Sequence, residues 1–436
     1  MKGYRYLPDP LRQINRHLAD ALKDISVQLE QLALSMESRL VDHNRSNSRL
    51  EVQIQRNHIL SAEREKIIGQ IREIDGFHNF LQAVPFSTLQ TAATEGPVIL
   101  INISNYHSDA IIICIDKPLT LVTLPNAQPE HLTHLGKQLT LARQLGTLEC
   151  STLILPILCD LWNDIVFPVC NCLSQLGIPQ ESRIWWCPTS ELCALPLHAA
   201  GLYKPKKWNF NLPDIYTSFY TPTLSALISA RSNMVIGQSN VPRLLVIGQP
   251  DTESLANVQD EINDIQQLGE FVDVLVGVNA SHEAVLHGLQ EHSWAHFACH
   301  GHPGDNFQPF CASFQLHDKS QLTLLDLIQA RLPNAEFAFL ASCHSAAGDL
   351  NTPDETIHLA AALQFCGFRS VVGTLWELAD EAGPIVSKAF YKYMFRNSEK
   401  GADIRDSAKA LSVAIRELRK QDVPLDCWIV LVHIGI

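Results

Sequence analysis

Positive charge is scarce in this chain: 33 lysines and arginines stand against 46 aspartates and glutamates, a net charge of −13. A surface that tracks phosphates needs clustered cations, so nucleic acid and anionic membrane are not expected partners. The 18 histidines leave that unchanged, because unperturbed imidazoles are mostly neutral at pH 7. Long apolar runs are missing as well. The longest, AIIICI after Asp109, falls far short of the ~20 residues a helix needs to cross a bilayer. The opening MKGYRYLPDPL has no charged-apolar-small pattern, so no export is expected. The 12 cysteines show no repeating spacing and read as reduced thiols. A glycine-rich phosphate loop and a G-x-S-x-G elbow are both absent, which disfavours nucleotide-binding enzymes and serine hydrolases. The expectation is a soluble cytoplasmic protein without a cofactor.

What is present is globular: 46% apolar and 18% charged residues over 436 positions, enough for two or three domains. Leu18, Leu22, Ile25, Leu29, Leu32, Met36 and Leu40 recur in steps of three and four and trace one helical face. Leu60, Ile67, Ile68, Ile71 and Ile74 suggest a second helix, with DHNRSNS as the turn. Residues 1–80 therefore read as a helical hairpin that needs a surface to bury its stripe. Two readings stay open for it, a packing lid and an arm that docks a regulatory protein.

Residues 97–230 read as a smaller α+β segment: short β-rich runs, a helical stretch at 129–176, and the strand-like SRIWWCP. His198 in that segment reads as either a structural or a catalytic histidine. The polar RSNMVIGQSNVP marks a boundary. From 242 to 436 apolar strands alternate with helices: RLLVIGQ, VDVLVG, WAHFACHG, EFAFLASC, FRSVVGTLWEL and WIVLVHIG are strands, and Ser281 is the expected N-cap of one helix. Continuously apolar strands alternating with helices predict an α/β fold, a mostly parallel sheet covered on both faces.

Two of those strands end in reactive side chains. SWAHFACHGHPGD runs into Cys299, His300 and Gly301, and AEFAFLASCHSAAGD stops at Cys343 and His344. Ligands of open α/β sheets bind at the carboxyl ends of the strands. Neighbouring strands lie about 4.8 Å apart, so His300 and Cys343 can converge over one cleft if their strands are adjacent. A cysteine attacks as its thiolate, and an imidazole beside it can take the proton and return it to a leaving amine. The backbone N–H groups of Gly301 and Cys343 could form the donor pair for a developing oxyanion. His344 is a second candidate base, but adjacent extended residues point to opposite sides, which favours His300.

The histidine stands 43 residues before the cysteine, which resembles the caspase arrangement, where the gap is about 50. WWCPTSELCALPLHAAG, FYTPTLSALISAR, HFACHG, FLASCHSA, DETIHLAAALQFCGFRSVVGTLWELAD and the closing IVLVHIGI are closer still to the CHAT domain, a caspase- and separase-like module. The resemblance covers roughly residues 97–436 and implies a caspase-like sheet and a cysteine endopeptidase acting on protein substrates. In it Cys343 is the nucleophile, His300 the general base and acid, and Gly301 part of the oxyanion hole. It also places WELADEAG at a wall of the specificity pocket, where Glu377, Asp380 or Glu381 would favour a basic residue before the scissile bond. The same acids read equally as solvated charges at a helix N-terminus. The caspase glycine one residue after the cysteine is absent here, since Ser345 stands beyond His344 and glycine follows only at Gly348.

Two rivals remain. One is a catalytically inactive CHAT-like scaffold. The other is a metallohydrolase using the His-x-His of HGHPGD with Cys299, Cys343 and His344 as further ligands. There Asp305 comes one residue late and Asn306 replaces the final histidine, so no metal is expected. Cys299 reads as a small buried residue.

Overall fold

A computed structural model of the chain describes residues 9–40, 47–78, 80–144, 147–203, 211–232, 242–249, 257–302, 312–330, 332–341, 359–396 and 401–436. They fall into two compact units, Met1–Phe86 and Ser87–Ile436.

In the first unit the expected stripe forms helix Arg16–Leu40, preceded by Asp9–Ile14 and followed by Asn47–Arg72. The Asn15 side chain accepts a hydrogen bond from the Leu18 N–H at 3.2 Å and so caps the long helix. Leu22 and Ile25 from the stripe are buried in one cluster with Leu11, Ala19, Ile67, Ile68 and Ile71.

The second unit carries strands β1 (Val98–Asn102), β2 (Asp109–Ile113), β3 (Thr120–Thr123), β4 (Arg183–Cys187), β5 (Thr217–Tyr220), β6 (Leu244–Gly248), β7 (Val272–Val276) and β8 (Trp294–Ala298). These are followed by β9 (Gly301–His302), β10 (Ser313–Gln315), β11 (Gln321–Thr323), β12 (Phe337–Leu340), β13 (Ser370–Thr374) and β14 (Leu431–Gly435). Eleven of them make one sheet in the order β3-β2-β1-β4-β5-β14-β13-β12-β8-β6-β7, and β9 to β11 form a small separate sheet. The small sheet was not foreseen, because strands of two and three residues carry no readable alternation.

β7-β6-β8-β12-β13 are mutually parallel, in the order of a doubly wound fold. The α/β alternation read from residue 242 onward is therefore present. β14 departs from it: it runs antiparallel to β13 and parallel to β5. The reason lies in the connection. Two packed helices, Ala382–Met394 and Ser407–Lys420, follow β13 instead of one, so the chain returns to the edge where β13 ended and enters β14 in the reverse direction.

β14 is thus the seam between two parallel blocks of opposite direction. The Trp185 indole N–H in β4 donates to the Gly435 carbonyl at 2.7 Å. Gly435 has φ +107°, and a Cβ there would stand 2.0 Å from the Arg369 carbonyl oxygen, so only glycine fits. Two buried histidines brace the same region. His433 Nε2 lies 2.8 and 2.7 Å from the Ser370 and Ser407 hydroxyls. His198 Nδ1 lies 3.0 Å from the Tyr220 hydroxyl, and its Nε2 lies 2.9 Å from the Ile429 carbonyl. Both nitrogens of His198 are occupied, which makes it the structural histidine of the two readings.

Residues Cys150–Gln175 form a helical run long and apolar enough, by length and composition, to cross a bilayer. Counting uninterrupted apolar residues missed it, because polar residues such as Asp160, Asn163 and Asp164 break the run. Half of it is buried in the unit, with Ile154, Ile157, Leu161 and Ile165 inside the core.

Candidate active site

The strands that carry the candidate dyad are direct neighbours. β8 and β12 pair in parallel, Trp294 with Phe337 through to Phe297 with Leu340, a constant offset of 43 residues (337 − 294). The Ala341 N–H continues this ladder, donating to the Phe297 carbonyl at 2.9 Å. Cys343 and His344 lie outside the described residues, as do Ser345 and Gly348.

His300 is half-buried, two residues past β8. Its carbonyl accepts the Gln315 N–H at 2.8 Å, which ties the strand end to β10. Antiparallel residues alternate between exchanging bonds and facing each other without them. With His300 and Gln315 bonded, Gly301 faces Phe314 as an unbonded pair, and the Gly301 N–H points away from β10. Phe314 in turn stacks on Phe297 of β8 at 4.3 Å between ring centroids, which holds the small sheet down on the strand. Cys299 is 2% exposed, on the face opposite His296 and His300 by strand alternation. His302 is exposed, and its Nε2 lies 2.9 Å from the Gln315 side-chain oxygen. Asp305 and Asn306 of the metal-like run lie outside the described residues. Among the described residues no group of three or more His, Cys, Asp or Glu side chains could hold a metal ion.

The segment after β13 runs along the same edge. Its three acids differ in environment. Asp380 is half-buried, and one carboxylate oxygen accepts both the backbone N–H and the side-chain N–H of Asn257 at 2.9 Å. It therefore latches this segment to the start of helix Val258–Gln266. Glu381 is exposed at the start of helix Ala382–Met394 and makes no capping bond. Glu377 is exposed between the buried Trp376 and Leu378.

Beneath the strand ends lies a polar group that sequence reasoning passed over. His296 of β8 is fully buried, with Nδ1 3.1 Å from the Tyr391 hydroxyl and Nε2 3.2 Å from the Glu261 carboxylate. Its ring stacks on Phe339 of β12 at 5.0 Å. A buried carboxylate is costly unless a partner meets it; His296 stands at ion-pair distance, but its Nε2 and the facing Glu261 oxygen make no hydrogen bond. The signal was in the sequence: Glu261 stands among Val258, Ile262 and Ile265, on the apolar stripe of its helix.

A family model described as the CHAT domain matches residues 155–435. No curated protein matches the chain. Among solved structures, the Saccharomyces cerevisiae separase–securin complex at 2.6 Å resolution is similar over 95% of this chain and 28% of that one, at 12% identity and a TM-score of 0.43. A 3.0 Å structure of the same complex is similar over 97% and 27%, also at 12% identity and 0.43. The Arg-specific cysteine proteinase gingipain R is similar over 63% of this chain and 68% of that one, at 10% identity and 0.41. This chain thus spans little more than a quarter of the separase chains it matches.

Proposed function

We propose that this chain, a member of the CHAT domain family built on an eleven-stranded α/β sheet, is a cysteine endopeptidase acting through Cys343 and His300. One observation carries the reading. His300 and Cys343 are separated by 43 residues, the same offset that pairs β8 with β12, so the same register continued beyond Leu340 would bring the two positions side by side. The Gly301 N–H, turned away from β10, is in keeping with an oxyanion donor.

The chemistry follows from the groups. A free thiol of pKa roughly 8.5 is mostly protonated at neutral pH, so His300 takes the Cys343 proton as sulfur attacks the scissile carbonyl. The carbonyl π electrons move to oxygen, where the Gly301 and Cys343 N–H groups meet the negative charge. Collapse of that intermediate breaks the C–N bond, and His300 returns its proton to the departing amine. Water, deprotonated by His300, then attacks the thioester and releases the carboxylic acid and the Cys343 thiol. The test is whether Cys343 reacts with an alkylating reagent as an activated thiol that depends on His300. A thiol no faster than the others, and indifferent to His300, sinks the reading and leaves a non-catalytic scaffold.

The N-terminal helices dock a regulatory protein in this account. What supports it is apolar surface in the first unit, where Ile14, Val52 and Ile59 are 60%, 65% and 61% exposed. Deletion of residues 1–80 tests it.

A further inference from the structure

Helix Pro129–Arg143 belongs to the block that holds none of the candidate dyad, yet its last turn reaches the dyad's edge of the sheet. Arg143 ends that helix, where a cation is favoured by the helix dipole. Its guanidinium lies over the Trp376 indole, 5.5 Å from the ring centroid. Trp376 stands two residues past β13, and β13 is the parallel neighbour of β12, whose extension leads to Cys343. Strand spacing puts these two ends about 4.8 Å apart.

The state of this cation is unusual. Burial pushes its pKa down, against the pull of Cys150 and Glu377 nearby. A cation that gives up hydration normally regains it from a hydrogen-bonded anion. Among the described residues Arg143 has no hydrogen-bonded or ion-paired partner, and its guanidinium meets the face of Trp376. A contact with an aromatic face uses none of the N–H donors, so the guanidinium keeps its fork of donors, shaped for a carboxylate, for another partner.

We propose that Arg143 is a substrate-binding residue, taking the carboxylate of an aspartate or glutamate near the scissile bond of the protein substrate. The proposal rests on the peptidase reading of the strand ends and adds a preference that the acids of WELADEAG do not supply. The opposite block of the sheet then contributes directly to the substrate cleft, and the Trp376 ring holds the arginine in place for it.

The test is a binding measurement on the full chain carrying Cys343→Ala, so that no turnover intervenes. The probe is a fluorescein-labelled peptide library in which each position in turn carries Asp or Asn. At one position Asp peptides should bind about 10-fold more tightly than their Asn counterparts, the size expected of a charge-assisted bidentate pair. Arg143→Gln should erase that difference while Asn peptides bind as before. Arg143→Lys keeps the charge without the fork, so it should retain only part of the preference, which settles the matter even if Arg143→Gln unfolds. No Asp-over-Asn preference at any position, whether or not peptides bind, overturns the proposal, as does a preference that survives Arg143→Gln. Failure of the peptidase reading shows elsewhere, in Cys343 alkylation that ignores His300.

Discussion

The two histidines of the seam predict a loss of stability on mild acidification. Burial, with the Arg183 charge adding to it, holds the folded-state pKa of His433 down at about 3. Burial holds His198 at about 4, against the opposing hydrogen bond to the Ile429 carbonyl. Both return to about 6.5 in the unfolded chain. Between folded and unfolded values the unfolded chain binds more protons, so stability rises with pH. The contribution is nearly complete above pH ~6.5, and is lost as pH falls towards about 4 for His198 and about 3 for His433. At about 1.4 kcal/mol per tenfold, each histidine loses about 2 kcal/mol between pH 7 and pH 5, or roughly 4 kcal/mol together. Urea unfolding midpoints across that interval measure it, above the range where ordinary carboxylates titrate. His433→Gln costs stability at every pH through its lost bonds to Ser370 and Ser407, but the diagnostic quantity is slope. That variant should roughly halve the pH dependence. A wild-type midpoint that stays flat from pH 7 to pH 5, or a slope unchanged in both His433→Gln and His198→Gln, refutes the reasoning.

Two further outcomes follow from named contacts. Asp380→Ala removes two hydrogen bonds to Asn257 from a half-buried carboxylate and should lower stability by about 2 kcal/mol, read from the denaturant midpoint; an unmoved midpoint contradicts the latch. Deleting residues 1–80 should abolish recovery of a regulatory partner or change the activity it controls, and no change in either disposes of the docking role.

Much of the block from residue 242 onward was legible, because its period switches from apolar strands to amphipathic helices at every element. The Ser281 cap shows this locally: its hydroxyl accepts the Ala284 N–H at 3.3 Å. The separation of His300 and Cys343 was legible too, though its match to the β8–β12 register needed the structure. What sequence could not show is pairing between distant segments. Trp185 with Gly435, His296 with Glu261 and Tyr391, and Arg143 over Trp376 join residues with no local pattern in common. The direction of β14 was hidden for a related reason: it depends on how many helices pack between two strands, not on the strand's own composition. Asp380 illustrates the limit of reading charge alone. Beside Glu377 and Glu381 it looks like one of three equivalent acids, and only its bonds to Asn257 set it apart.

The central claim is tested most directly by labelling, which needs no substrate. The rate at which a small alkylating reagent modifies Cys343 is followed against pH in the wild type and in His300→Ala. The account predicts labelling well above that of the other thiols at neutral pH. The buried Cys170, Cys187 and Cys427, whose thiols burial pushes up to about 12, 11 and 12, should stay slow. Loss of His300 should slow Cys343 to the rate of an ordinary exposed thiol. Labelling that is slow in the wild type and unaffected by the substitution would contradict the dyad and leave the chain a CHAT-domain scaffold.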